Sequence, residues 1–147
     1  MRIEVRPSSA QDLPRLAEIE SVSEYSAHWG EKGLSEEMAR TDGIVLTVLA
    51  DGAPAGFAAG RAVAGCASLY DVAVAPENRR AGLGGALVRA FAAAAARAGC
   101  GMIELEVNAS NAPALRLYEK CGFAVVGRRP KFYNLTDDAI LMDMELR

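Results

Sequence analysis

Apolar and polar positions change their period several times along the chain. Residues 2–6 alternate as a short strand that Pro7 ends. Leu13, Leu16, Ala17 and Ile19 then recur at helical spacing, which predicts a helix with one buried face. Ser9 or Asp12 can cap it, and Pro14 is tolerable only in its first turn. After Val22 the period decays through Tyr25, His28, Trp29 and Gly30 to a short helix near Leu34 to Arg40. Ile44 to Ala50 and Ala55 to Val63 read as strands joined by the hairpin signal Asp51-Gly52. Ser68 to Ala75 is a third strand, stopped by Pro76. A helix opens at Gly82 to Gly84 and runs to about Ala98, where Gly99 can end it. Met102 to Asn108 is a strand, and Ala112 to Cys121 a helix capped by Asn111 and stopped by Gly122. Phe123 to Gly127 and Ala139 to Leu146 complete the strands, the last alternating Ile140, Met142, Met144 and Leu146 against Leu141, Asp143 and Glu145.

That order, one strand, two helices, three strands, then helix, strand, helix and two strands, predicts an α/β or α+β fold. Its core is a central mixed sheet with helices on both faces. Only the strand–helix–strand segment from Ser68 to Asn108 requires a parallel pair with a right-handed crossover.

Composition narrows the function classes. The 147 residues are the length of one ordinary domain, 1–147, which can bury roughly 70% of its unfolded surface without disulfide or metal staples. A net charge of −3 argues against a nucleic-acid binder and is compatible with a cationic acceptor. Cys66, Cys100 and Cys121 form no C-x-x-C pair and read as free packing thiols of a reducing compartment. His28 is the only histidine, so no metal site is expected. The first residues lack an apolar signal core, and the apolar stretch from Ala86 to Ala98 is too short to span a bilayer. The expectation is a cytoplasmic protein with no membrane partner.

The stretch from Leu69 to Leu87 carries the strongest chemical signal. A strand ending in Val72-Ala73-Val74 meets a proline, then a polar turn with Arg79, Arg80, Ala81, Gly82, Leu83 and Gly84 at a helix start. Unpartnered amides and the positive dipole end at such a start suit an anion, and glycine lets the backbone approach it. A G-x-G-x-x-G fingerprint from Gly82 fails at Leu87, and a P-loop fails because no lysine follows the glycines. A Gly-rich turn that merely starts a helix remains the plain alternative.

Arg79-x-x-Gly82-x-Gly84 after Val-Ala-Val resembles the Q/R-x-x-G-x-G/A signature of the GNAT N-acetyltransferase superfamily. The resemblance implies the acyl-CoA N-acyltransferase fold: a mostly antiparallel sheet with one splayed parallel pair. It further implies that the loop Arg79 to Gly84 holds the diphosphate of acetyl-CoA and that Val72 to Val74 pair with its pantetheine arm. A backbone amide near Val74 would stabilise the oxyanion. Downstream, Glu106-Val107, Ser110-Asn111, Ala114, Leu117-Tyr118 and Gly122-Phe123 resemble a second signature of the same family, without gaps. The branch most resembled acetylates the N-terminal alanine of a small-subunit ribosomal protein. His28-Trp29-Gly30-Glu31-Lys32 and the segment from Gly127 to Met142 are similar to flanks of that branch. Departures fall at His28, at Cys66 and Ser68, and in a shortened loop between Tyr133 and Asp138. All lie in parts that would face the acceptor.

An α-amino group with a pKa of about 7.7–8.0 is largely protonated at neutral pH, so a base must take a proton before it attacks a thioester. Glu106 shares one strand face with Glu104 and Asn108. Spacing alone leaves it equally readable as a solvated residue, and the resemblance implies that it is the base. The resemblance likewise makes Tyr118 the acid for the leaving thiolate, where spacing allows a core aromatic. Asn111 serves as helix cap and, by resemblance, cofactor contact. Tyr25, Trp29, Arg129 and Tyr133 would line the acceptor groove, although core packing suits the aromatics too. The expected activity is acetyl transfer from acetyl-CoA to a protein N-terminus by a monomer or weak dimer. A small-molecule amine acetyltransferase and a non-catalytic acyl-CoA-binding module remain as alternatives.

Overall fold

A computed structural model describes residues 1–133 and 136–146, with the side chain of Tyr133 outside the description. Seven strands form a single mixed sheet: β1 Ile3–Pro7, β2 Gly43–Ala50, β3 Ala53–Val63, β4 Cys66–Val74, β5 Met102–Asn108, β6 Ala124–Tyr133 and β7 Asp137–Glu145. Their spatial order is β1-β2-β3-β4-β5-β7-β6, antiparallel throughout except for β4 beside β5. The parallel pair is joined by α3, Leu83–Arg97, as a strand–helix–strand unit requires. The other helices are α1 Leu13–Ser21, α2 Gly30–Ala39 and α4 Ala112–Lys120.

Local chemistry explains the boundaries. Asp12 accepts the Ser9 N–H at 2.8 Å in a capping box, and Pro14 sits in the first turn of α1. Asp51 and Gly52 both take positive φ, as the tight turn between β2 and β3 demands. Asn111 Oδ1 accepts the Ala114 N–H at 3.3 Å and starts α4.

Two boundaries differ from expectation by more than two residues. The helix placed near Leu34 begins four residues earlier, at Gly30, whose N–H is held by Glu20 at 2.8 Å; its first turn, Gly30 to Gly33, has no apolar residue to mark it in the sequence. The strand expected to stop at Gly127 continues to Tyr133. It runs through Pro130 because β6 is an edge strand, where a missing N–H costs no ladder bond.

Each face of the sheet has its own core. Leu46, Val48, Leu69, Leu87, Phe91, Ile103, Leu105 and Met142 pack together beneath α3 and α4. Leu13, Leu16, Ile19, Leu34, Val45, Phe57, Ala59 and Ala73 pack beneath α1 and α2. The second pair of helices covers β2 to β4, and the same face of β5, β7 and β6 opens into a cleft.

Candidate active site

The site begins where the parallel pair ends. Four residue pairs join β4 to β5, from Cys66–Met102 to Leu69–Leu105, and none follows. A register shift on the other side of β4 explains the parting. Ala59 pairs with Asp71 and Gly60 with Leu69, so Tyr70 is an extra residue in the strand. Such a bulge bends its strand and inverts the alternation beyond it. Leu69 faces the α3 core, whereas Asp71 and Ala73 lie on the α1 side and Val72 and Val74 pack toward α3. Past Leu69 the β5-facing edge of Val72, Ala73 and Val74 therefore has no neighbouring strand among the described residues.

Beyond β4 the chain makes a 3-10 turn at Pro76–Asn78 and reaches α3 through Arg79, Arg80 and Ala81. Arg80 and Gly82 both have positive φ, 64° and 86°, and turn the backbone sharply into the helix. The first helical bond runs from the Ala86 N–H to the Gly82 carbonyl at 3.1 Å. The amides of Leu83, Gly84 and Gly85 thus precede any intrahelical partner, with the positive dipole end beside them. Arg80 is exposed, and Arg79 donates from Nε to the Val74 carbonyl at 3.2 Å, which ties the loop to the end of β4. Donors, glycine and cationic side chains suit a diphosphate.

The cleft on the opposite side has a volume of about 420 Å³ and is lined by residues of β4, β5, β6 and β7. Glu106 is the first β5 residue past the last β4–β5 pair. Its side chain is one-third exposed at 33%, open to a solute, and its carboxylate lies 3.2 Å from the Arg129 guanidinium. Glu104 and Asp143, paired across β5 and β7, add two more carboxylates to the same wall, and Ser68 donates to Glu104 at 3.3 Å. Tyr118 is buried on α4, with its ring edge-on to Phe123 at 5.7 Å.

The loop between α1 and α2 borders the cleft through Tyr70. Trp29 packs edge-on against Tyr70, ring centres 6.3 Å apart, and the Arg61 guanidinium covers Tyr70 at 5.5 Å. The Tyr25 hydroxyl donates to the Ser110 carbonyl at 3.4 Å, reaching from this loop to the β5–α4 turn. Glu106 and Arg129 therefore meet directly, and Trp29 joins the cleft through Tyr70. Tyr133 ends β6, and its expected contact lies outside the described residues. Tyr70, Glu104 and Asp143 line the cleft without having been singled out from sequence. Glu104 and Asp143 had a visible signal, the polar alternation of β5 and β7; the bulge at Tyr70 had none.

Known proteins share this fold. Residues 11–123 match the acetyltransferase (GNAT) family. The chain is 36% identical over 138 residues to the ribosomal protein bS18-alanine N-acetyltransferase of Escherichia coli K12, covering 92% of each protein. It is 39% identical over 121 residues to the streptothricin acetyltransferase of Streptomyces lavendulae, covering 78% of this chain and 64% of that protein. The crystal structure of the ribosomal-protein-S18-alanine N-acetyltransferase from Escherichia coli superposes with a TM-score of 0.85 at 29% identity. It covers 99% of this chain and 94% of that one.

Proposed function

This chain belongs to the acetyltransferase (GNAT) family, and from that premise we propose that it acetylates the N-terminal α-amine of a protein. It is an acetyl-CoA-dependent N-acetyltransferase. The proposed acceptor is a small-subunit ribosomal protein beginning with alanine, modified in the cytoplasm. One observation carries this assignment: Glu106 stands at the point where β4 and β5 part, beside Arg129, in a cleft lined by carboxylates that suits a cationic amine.

In this mechanism the amides of Leu83 to Gly85, with Arg79 and Arg80, bind the diphosphate of acetyl-CoA. The free edge of Val72 to Val74 pairs with the pantetheine amides and aims the thioester between the strands. Glu106 takes the proton of the acceptor ammonium, directly or through one water, and the freed amine forms the new N–C bond. The Val74 amide stabilises the charge that develops on the carbonyl oxygen. As the C–S bond breaks, Tyr118 supplies the proton to the departing thiolate. The nitrogen gives up its second proton to restore the phenol through solvent, and Glu106 releases its proton to solvent. Asn111 holds the start of α4, which carries Tyr118, and Tyr25, Trp29, Arg129 and Tyr133 guide the acceptor.

The test is an acceptor screen read by free-thiol release and mass spectrometry. Alanine-starting peptides are expected to gain one acetyl group at the α-amine. Glu106→Gln is expected to lower turnover by about 100-fold or more while acetyl-CoA binds as before. Transfer only to simple amines would favour a small-molecule acceptor, the direction in which the streptothricin acetyltransferase relative points. Acetyl-CoA binding without transfer to any acceptor would leave a non-catalytic module.

A further inference from the structure

Two acidic residues outside the proposed chemistry lie beneath the α1–α2 loop, which borders the cleft through the Trp29–Tyr70 contact. Glu20, at the end of α1, is 1% exposed, and Asp71, one residue past the β4 bulge, is 5% exposed. The Glu20 carboxyl neighbours that of Asp71 and pushes it up. Each also holds a backbone amide of the α1–α2 loop. Asp71 Oδ2 accepts the Ala27 N–H at 3.2 Å, and Glu20 Oε1 accepts the Gly30 N–H at 2.8 Å. The Glu20 backbone carbonyl accepts the Ser26 hydroxyl at 2.9 Å. The second carboxyl oxygen of Glu20, Oε2, is buried with no donor among the described residues.

Two neighbouring carboxylates sealed from water cannot both ionise without strong repulsion. One proton between them removes that repulsion and gives Glu20 Oε2 the donor it lacks. We propose that Glu20 and Asp71, sharing one proton, are a positioning pair that fastens the Ala27–Gly30 segment to β4 and so sets the acceptor wall formed by Tyr25 and Trp29. The proposal rests on the cleft being the acceptor site. Burial and the Glu20 carboxyl push Asp71 up to about 8, so the proton is retained at neutral pH and lost on alkalinisation. The pair then repels itself and the loop loosens.

Other charged groups on the packed elements are engaged elsewhere or face water. Glu18 on α1 is bonded by Arg15, and Arg61 on β3 is paired with Glu37. Glu24 and His28 in the loop, and Glu31 and Lys32 on α2, are exposed. Tyr25 and Tyr70 are about half exposed, at 41% and 49%.

Trp29 is the only tryptophan, so its fluorescence reports the position of this loop without any turnover. The acceptor amine itself titrates at about 7.7–8.0, which makes a signal independent of activity necessary. Fluorescence of the intact protein is expected to show an alkaline transition that Asp71→Asn abolishes. The asparagine amide donates to Glu20 in place of the shared proton, and its oxygen still accepts from Ala27. Asp71→Ala is expected to raise the acceptor KM roughly tenfold, with the acetyl-CoA KM unchanged and the wild-type value restored by Asp71→Asn. The same alkaline transition in wild type and Asp71→Asn would overturn the proposal, as would an unchanged acceptor KM in Asp71→Ala. If Asp71→Ala does not fold, the fluorescence comparison with Asp71→Asn decides. If no amine is acetylated by the wild type, the acceptor assignment fails, and the same fluorescence comparison still decides whether the pair holds the loop.

Discussion

Glu106 and Tyr118 differ in what surrounds them, and that difference separates their tests. Glu106 is solvent-accessible and ion-paired with Arg129, so neutralising it removes charge with little change in packing. Tyr118 is enclosed, and its ring contributes to the α3–α4 core together with Phe123. Tyr118→Phe keeps the ring and is expected to change unfolding free energy by no more than about 1 kcal/mol. The same change is expected to slow turnover about tenfold or more, because the departing thiolate loses its proton donor. Single-turnover rates and a denaturant titration on one preparation check both, and a wild-type rate would assign Tyr118 to packing alone. Sequence made Glu106, Arg129 and Tyr118 visible through a linear pattern. Glu20 and Asp71 escaped it for a physical reason. Glu20 follows Leu16 by four residues and so falls on the buried face of α1, but a glutamate there reads as solvated unless its partner on a distant strand is known.

Among the elements, β4 matters most, since its bulge decides where the sheet opens. Gly60 on β3 lies opposite that irregularity, with Phe91 of α3 pressed against it. A Cβ at position 60 would come within 2.1 Å of the Ser68 carbonyl oxygen and 2.6 Å of the Phe91 ring. Gly60→Ala is therefore expected to cost about 3 kcal/mol, measured by urea unfolding, because the obstacle includes backbone that cannot rotate away. A change below 0.5 kcal/mol would mean that β3 and β4 can separate locally. Strand and helix positions were mostly legible because period and turn residues agree, as at Asp51-Gly52 and Gly99. The bulge was not, since an inserted residue in an apolar strand leaves alternation looking intact over a few positions. The full length of β6 was also hidden. Arg128, Arg129, Pro130 and Lys131 look like a loop, and only their place at the sheet edge makes them a strand.

At the scale of the whole molecule, two buried acids titrate in opposite senses. Arg6 grips Asp12 with two bonds of 2.7 and 2.9 Å, while the Ser9 amide and Thr47 hydroxyl add others, linking β1 and β2 to the start of α1. The Arg6 guanidinium holds Asp12 down at about 2, below its ordinary 3.8. Its contribution is therefore present above 3.8 and lost as pH falls through about 2. Asp71 is raised from 3.8 to about 8, so its contribution is full below 3.8 and declines as pH rises through about 8. Unfolding free energy measured across pH is expected to fall in strong acid, and the Asp71 contribution to decline from 3.8 upward and level off past about 8. Asp12→Asn is expected to remove the acid limb and cost about 2 kcal/mol at neutral pH, since it loses charge-assisted bonds. Asp71→Asn is expected to flatten the alkaline limb. Curves that keep both limbs in both variants would assign the pH dependence to other groups.

The four rungs joining β4 to β5 have a mechanical consequence. Strands β1 to β4 form one hydrogen-bonded raft and β5, β7 and β6 another, and within the sheet they are stitched along only part of their common border. A thioester carrier lying in the open part of that border would act as a suture, adding bonds where the chain supplies none. The sheet is thus least hydrogen-bonded along the seam where the cosubstrate is proposed to lie, and filling that seam would stiffen the two rafts into one plate.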